Sequence, residues 1–431
     1  MQKLKQIIDY LIYLLIFLLP LQTRWIYHEG ILNGEPWEYG AFSLYATEIL
    51  FGVILILSII HLIGTWKSKF SKPDKRRIFR VSILIIFILF FILNAFFAIN
   101  SSIAIYKFVQ LILATAFFII ILISRLDLKK ISWAIALSAL YQSIVAIQQF
   151  IGQKVIANKW LGMSAQDPAT LGVPVIESAG IRTLRSFGTM PHPNILAGFL
   201  LISLIVIIGL YAMTKISKRK KLLQLLFTIN FIGLLTAFSR SALLAFAVVT
   251  IFMAFYFSKD KIMSRATTKF IIIAIFIFIL FSVSFPNLMA ARAFGEGRLE
   301  VQSNASRLEQ YNEFAKIFSN RWLIGVGLEN YSLAVNEINP NQPAWNYQPI
   351  HNVYLLIITE LGIAGIAILG LLGFMIFKLI KLQKNKNYYL PCLVALGFLA
   401  LFDHYLWSFY FGIMFCALIL GLALTEQSGK K

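Results

Sequence analysis

Residues 348–362 read QPIHNVYLLIITELG, and the switch from polar to apolar within that stretch decides how the chain folds. Upstream, residues 285–351 carry Arg292, Arg298, Arg307, Lys316 and Arg321 together with a run of carboxylates. Downstream the chain stays apolar for roughly the 20 residues that a bilayer-crossing helix requires. His351 stands at the changeover. The pattern predicts an aqueous-side half of a site, residues 286–350, facing another half built from the ends of transmembrane helices.

The same contrast runs through the whole chain. Of its 431 residues, 59% are hydrophobic and only 13% charged, against about one quarter charged in soluble domains. The apolar runs are continuous rather than alternating, which excludes a β-barrel. The formal charge of +20 does not point to nucleic acid, because no basic stripe is interleaved with exposed aromatics. Instead 27 of the 39 Lys and Arg, but only 5 of the 19 acidic residues, fall at the two termini and in segments 67–80, 125–130, 215–221, 259–269 and 378–386. That bias marks cytoplasmic loops and attraction to anionic lipid.

The expected architecture is all-α: a polytopic bundle of about twelve transmembrane helices in one domain, 1–431, with both termini inside. The segment Leu4 to Leu21 resembles a signal peptide, but no small-residue cleavage site follows it, and it reads as the first span. Residues 222–257 are too long for one span and too short for two with a real loop. They fold as two short helices turning at Ser239-Arg240-Ser241. The large outer loop, 286–350 between spans nine and ten, contains Ser306-Arg307-Leu308-Glu309, a capping-box spacing. Leu308, Tyr311, Phe314, Ala315 and Phe318 continue it as an amphipathic helix. This places Arg307 in a first helical turn, where free N–H groups already favour an anion.

Polar groups that lipid would penalise are the candidates for chemistry, since a charge within a span costs about 2.5–3.5 kcal/mol on insertion scales. Arg240 has no acidic residue within ten positions. It either snorkels to the interface or faces a cavity and awaits an anion, for which a planar guanidinium is suited. Arg185, His192 and Asn194 enter span six through Pro191-His192-Pro193-Asn194, whose prolines fix the backbone. His351 and Asn352 open span ten, and a histidine is the natural general base near neutral pH. Glu360 lies roughly 13 Å deeper on another face, so Asp403, at the end of span eleven, is the better carboxylate to orient His351. The five histidines show no paired helical spacing, Cys392 and Cys416 sit inside apolar spans, and no phosphate loop or serine elbow occurs. No metal site is expected. Glu29, Glu35 and Glu38 read as solvated loop charge.

At these residues the sequence resembles the O-antigen ligase superfamily of bacterial membrane proteins. The likeness rests on His192-Pro193-Asn194, Ser239-Arg240-Ser241-Ala242, Arg307 to Ala315 followed by Gly325-Val326-Gly327, and His351-Asn352-Val353-Tyr354-Leu355 running into Glu360-Leu361-Gly362. It extends over roughly residues 180 to 405. The resemblance implies an inverting glycosyltransferase of the cell inner (cytoplasmic) membrane, working on its outer face. It implies transfer of a glycan from an undecaprenyl-pyrophosphate carrier to the hydroxyl of a glycan, lipid or protein acceptor, with no metal or other cofactor. Family members use two arginines and a histidine, which fall here on Arg240, Arg307 and His351, with Arg298 close enough to compete with Arg307. A lipid-linked repeat-unit polymerase shares this donor. A polysaccharide or lipid transporter is the rival of a different class, because about twelve spans with both ends inside suits transporters as well.

Overall fold

The structure is a computed structural model and describes residues 1–65, 88–124, 126–178, 180–295, 298–381 and 387–425. The basic segment 67–80 and the start of the expected third span lie outside the described residues. Helices run at α1 (Gln2–Leu18), α2 (Ala46–Thr65), α3 (Ser101–Ile123), α4 (Leu128–Gly152), α5 (Pro193–Met213), α6 (Ser217–Thr236), α7 (Arg240–Tyr256) and α8 (Lys261–Ser284). They continue with α9 (Pro286–Phe294), α10 (Arg298–Arg321), α11 (Tyr331–Ile338), α12 (Val353–Lys381), α13 (Leu390–Leu399), α14 (Tyr405–Ser408) and α15 (Tyr410–Leu424). Among the described residues, six helices (α2, α3, α4, α5, α8 and α12) are long and apolar enough to cross a membrane, and α7, α13 and α15 are shorter apolar helices. This is a mostly helical membrane fold, and among the described residues fewer helices reach membrane length than the twelve spans expected from hydropathy.

Helix starts follow local chemistry. Asn100, Asp127 and Asp260 each accept backbone N–H bonds from the first turns of α3, α4 and α8, which satisfies donors that a helix end leaves unpaired. The centre of the bundle is α5, apolar all round and buried along 89% of its membrane-length window. It packs against α4, α6, α7, α8 and α13. A helix without a polar face has to be enclosed in this way.

The loops carry short antiparallel strands that hydropathy alone does not reveal. β1 (Arg24–His28) pairs with β4 (Phe42–Tyr45), β2 (Ile31–Leu32) with β3 (Glu35–Pro36), and β5 (Val175–Ser178) with β6 (Ile181–Leu184). Asn33-Gly34 turns the middle hairpin, with positive φ of 52° and 82°, as an Asn-Gly hairpin turn requires. The capping-box expectation is not met. α10 starts at Arg298, no Gly or Pro interrupts it before Arg321, and the Ser306 hydroxyl donates to the Ser303 carbonyl inside the helix. Arg307 is therefore past the first turn.

Two of the glycine motifs explain each other. α12 breaks at Gly362 (φ 63°, ψ −170°), and the Gly325-Val326-Gly327 turn docks into the break. Val326 and Gly327 N–H donate to the carbonyls of Thr359 and Glu360 at 3.0 Å, while Ile363 N–H donates to the Trp322 carbonyl at 2.9 Å. Asn94 donates to the Ile324 and Glu360 carbonyls and accepts from Leu328 N–H. Irregular backbone is tolerated in a membrane helix only where protein satisfies its polar groups. A Cβ on Gly362 would lie 2.4 Å from the Leu323 carbonyl oxygen, and one on Gly325 would lie 2.3 Å from that of Glu360. Hence both positions need glycine. The large loop is thereby pinned beneath the start of α12, where His351 stands.

Candidate active site

The polar loops converge at one end of the helices around two cavities. The larger, about 700 Å³, is lined by Arg182, Arg185, Arg240, Arg292, Arg298 and Arg307. The smaller, about 460 Å³, lies among the β1–β4 hairpin, the 162–174 loop and residues 403–409. His192 and His351 line both, so the cavities meet at these two rings.

The arginines are placed by the turn between α6 and α7. Phe238 there adopts φ 47°, uncommon for a residue with a side chain. The carbonyls at that turn are taken by guanidinium groups: Arg185 Nε donates to Ala237 O at 3.0 Å and Arg292 Nε to Phe238 O at 2.8 Å. Arg240 opens α7 immediately afterwards, and a Cβ on Gly295 would come within 3.7 Å of its Nη1. Arg182 and Arg298 share Glu177, at 3.5 and 3.2 Å. Six permanent positive charges thus surround one cavity, and Glu177 is the carboxylate paired with two of them.

The two histidines carry opposite tautomers. His192 caps α5, and its Nδ1 accepts the backbone N–H of Asn194 at 3.1 Å. A backbone nitrogen only donates, so Nδ1 is unprotonated and the proton of the neutral ring is on Nε2. Burial, aided by Arg185, pushes this ring down to about 3. At His351, Gln310 Oε1 accepts the backbone N–H at 3.1 Å and faces ring Nδ1 at 3.0 Å. The atom facing the backbone N–H has to be the amide oxygen, so Nδ1–H donates to it and Nε2 is left with a free lone pair. Burial lowers the His351 pKa, Asp403 partly restores it, and Arg307 lowers it again.

Arg185, Asn194 and Asp403 form a chain between the cavities. Arg185 Nη2 donates to Asn194 Oδ1 at 2.7 Å, and Asn194 Nδ2 donates to Asp403 Oδ2 at 2.8 Å. Asp403 Oδ1 accepts the His404 backbone N–H at 2.8 Å. Burial opposes the Asp403 charge, but His404, His351, His192 and the Asn194 amide outweigh it and hold the carboxyl at about 2. The His404 ring, kept neutral by burial, sits edge-on to His351 with centroids 5.3 Å apart.

The structure brings Arg185, His192, Asn194, Arg240, Arg307 and His351 to one cavity, and Asp403 to its neighbour. Asn352 and Glu360 line neither. Asn352 caps α12 by accepting from Tyr354 and Leu355 N–H, and buried Glu360 accepts from Trp407 Nε1 at 2.7 Å. The group bonded to the His351 ring is Gln310 rather than Asp403. Gln310 lies one turn beyond Arg307 on the same helix, the spacing that puts two side chains on one face. Lys107 also escapes the motif reading, although it is a charge inside an apolar helix. It pairs with Glu329 at 2.9 Å and donates to the Ser408 carbonyl at 2.6 Å, and the Ser408 hydroxyl meets His404 Nδ1 at 3.1 Å. Glu35 and Glu38 are also engaged, with Ala344 N–H and Arg24 respectively.

Residues 225–370 match the O-antigen ligase family. The matched segment contains Arg240, Arg307, Gln310 and His351, and it is narrower than the likeness drawn from motifs, leaving Arg185, His192, Asn194 and Asp403 outside. The O-antigen ligase match supports a membrane protein of glycan transfer, ligase or polymerase in kind, with a lipid-linked glycan and an acceptor as its general partners. No curated protein matches the chain.

Proposed function

We propose that the chain is an O-antigen ligase-like glycosyltransferase, moving a glycan from an undecaprenyl-pyrophosphate carrier to an acceptor hydroxyl on the outer face of the membrane. The observation that carries this reading is the cavity lined by six arginines together with His351. In this scheme Arg240 and Arg307 hold the pyrophosphate. Fixed guanidinium groups in a poorly hydrated site stabilise charge as it develops on the leaving oxygen, and planar, bidentate donors match phosphate oxygens. These permanent charges supply what a divalent cation would otherwise provide.

The reaction is a displacement at the anomeric carbon. The acceptor oxygen forms the new C–O bond while the bond to the pyrophosphate breaks, its electron pair passing to the pyrophosphate oxygen. The acceptor proton goes to His351 Nε2, which the Gln310 contact leaves free to accept it. A base of this kind contributes about 10²–10⁴ in rate. His192, with its proton on Nε2, donates a hydrogen bond to an oxygen of donor or acceptor. Attack opposite the leaving group inverts the anomeric configuration. Leu171, Leu244 and Phe402 in the same lining give the isoprenoid an apolar approach.

The test is transfer by purified full-length chain from a lipid-pyrophosphate glycan to hydroxyl acceptors, in proteoliposomes with chelator present. Product with inverted linkage is expected. Glycan movement across the bilayer without a new linkage would replace this reading with transport, and elongation of the lipid-linked glycan itself would make the enzyme a polymerase.

A further inference from the structure

We infer that the smaller cavity is the acceptor site and that it takes the uncharged, hydroxyl-rich end of a saccharide. This rests on the glycosyl-transfer reading above, which does not say where the acceptor binds or what its end looks like. Among the described residues lining this cavity, Arg24 is the one permanent cation, and both of its terminal nitrogens donate to Glu38, at 2.6 and 3.0 Å. Buried Asp403 lies in the same wall. A phosphate or carboxylate entering here would find the single guanidinium already neutralised and a second carboxylate facing it. Desolvating an anion beside that carboxylate is unfavourable. The neighbouring cavity, with its six arginines, has the opposite preference.

What the smaller cavity does offer is paired donors and acceptors. Gln22, Gln166 and Gln348 bring amides whose nitrogens each donate once within the chain, to Pro20 O, Ser164 Oγ and Trp345 O, and which carry a second N–H and a carbonyl oxygen besides; Tyr39 brings a hydroxyl and a ring. A sugar hydroxyl likewise donates and accepts. Tyr39 and Phe409 pack edge-on at 6.2 Å, giving an apolar patch among the polar groups. A volume of about 460 Å³ falls in the range of small-ligand sites, which combine apolar walls with a few placed polar groups. Because His351 lines both cavities, a hydroxyl held here and a pyrophosphate held next door both adjoin the same residue.

The experiment is saturation-transfer NMR on the detergent-solubilised full chain. The probes are the methyl glycosides of glucose, galactose, mannose and N-acetylglucosamine, with and without inorganic pyrophosphate. Saccharide signal that persists in saturating pyrophosphate is expected. It should fall by about tenfold in Gln166→Leu/Gln348→Leu, the effect of losing one or two hydrogen bonds, and stay unchanged in Lys316→Ala, an exposed position that lines neither cavity. Gln348→Leu alone, at an exposed position, serves if the double variant misfolds. The inference is overturned if the wild-type chain gives no saccharide signal, if pyrophosphate abolishes the signal, or if the glutamine variants leave it intact. Pyrophosphate binding is read separately: binding unaffected by Arg240→Ala counts against the lipid-pyrophosphate reading and leaves the saccharide result standing on its own.

Discussion

Two helices serve the candidate site from opposite extremes of burial. α5 has 17 of its 21 residues buried and carries His192 and Asn194 at its entry. α10 has Ile317 as its one buried residue among those described, and it supplies Arg307 and Gln310. The first half of the site is fixed by the core, through Arg185, Asn194 and Asp403. The second half is carried by a polar helix at the surface, yet that helix sets the tautomer of His351. The core holds the chain from Arg185 through Asn194 to Asp403 in place, while the surface helix adds the Arg307 charge and controls proton acceptance through Gln310.

The most severe way to break this arrangement is to remove the group both halves serve. His351→Ala should reduce transfer by about 10²–10⁴ with membrane insertion and protein level unchanged. Near-normal product in proteoliposomes would take His351 out of the chemistry. Next comes the core half. Arg240→Lys keeps the charge but loses the planar pair of donors, and transfer should drop by about 10²-fold. Activity within a factor of two at equal protein level would mean that Arg240 does not hold the pyrophosphate.

The surface half is broken more gently, and pH is the sharper readout. Gln310→Leu removes the acceptor of Nδ1–H and lets the imidazole take either tautomer, for an expected loss of about tenfold. Gln310→Glu instead places a carboxylate beside Nδ1–H. A neighbouring anion favours the charged ring, so the His351 pKa rises. The base form is lost as pH falls through that pKa. The acid limb of kcat/KM in wild-type chain should therefore lie below the ordinary histidine value of about 6.5, because burial and Arg307 lower it. In Gln310→Glu it should move to higher pH. A limb that stays in place would show that another group titrates.

How much of this was readable in advance follows from the kind of signal each part leaves. Lipid imposes continuous apolar runs, so hydropathy anticipated the apolar helices but not how many reach membrane length among the described residues, and the polar break at Ser239-Arg240-Ser241 marked the turn between α6 and α7. Arg240 and His351 stood out as polar groups at the ends of such runs. Gln310 did not, since a glutamine on a polar helix carries no mark of its own, and only the 3.0 Å contact with His351 singles it out. The pairing of Gly325 with Gly362 was unreadable for another reason. Each glycine suggests a turn by itself, but the need for glycine arises where two backbones, distant in sequence, come together. Ser306 misled because a good capping spacing inside an uninterrupted helix former is simply continued through.

The smallest expected effect separates the two arginines that compete within α10. Arg298 and Arg307 both line the larger cavity, but their surroundings differ. The Arg298 side chain is 69% exposed and pairs with Glu177 at 3.2 Å, a screened surface contact worth about 0–1 kcal/mol. Arg307 is half-buried and close enough to His351 to lower its pKa. Arg298→Ala should therefore cost less than about fivefold in transfer, with an unaltered acid limb. Arg307→Ala should cost more and move the limb to higher pH, because it removes a positive charge that disfavours the imidazolium. The pH shift is the discriminating result, since a lost pyrophosphate contact lowers the rate whichever arginine is removed, while only an arginine beside the imidazole changes its titration. If Arg298→Ala moves the limb and Arg307→Ala leaves it in place, the two residues exchange roles and the site extends towards Glu177 and the β5–β6 hairpin.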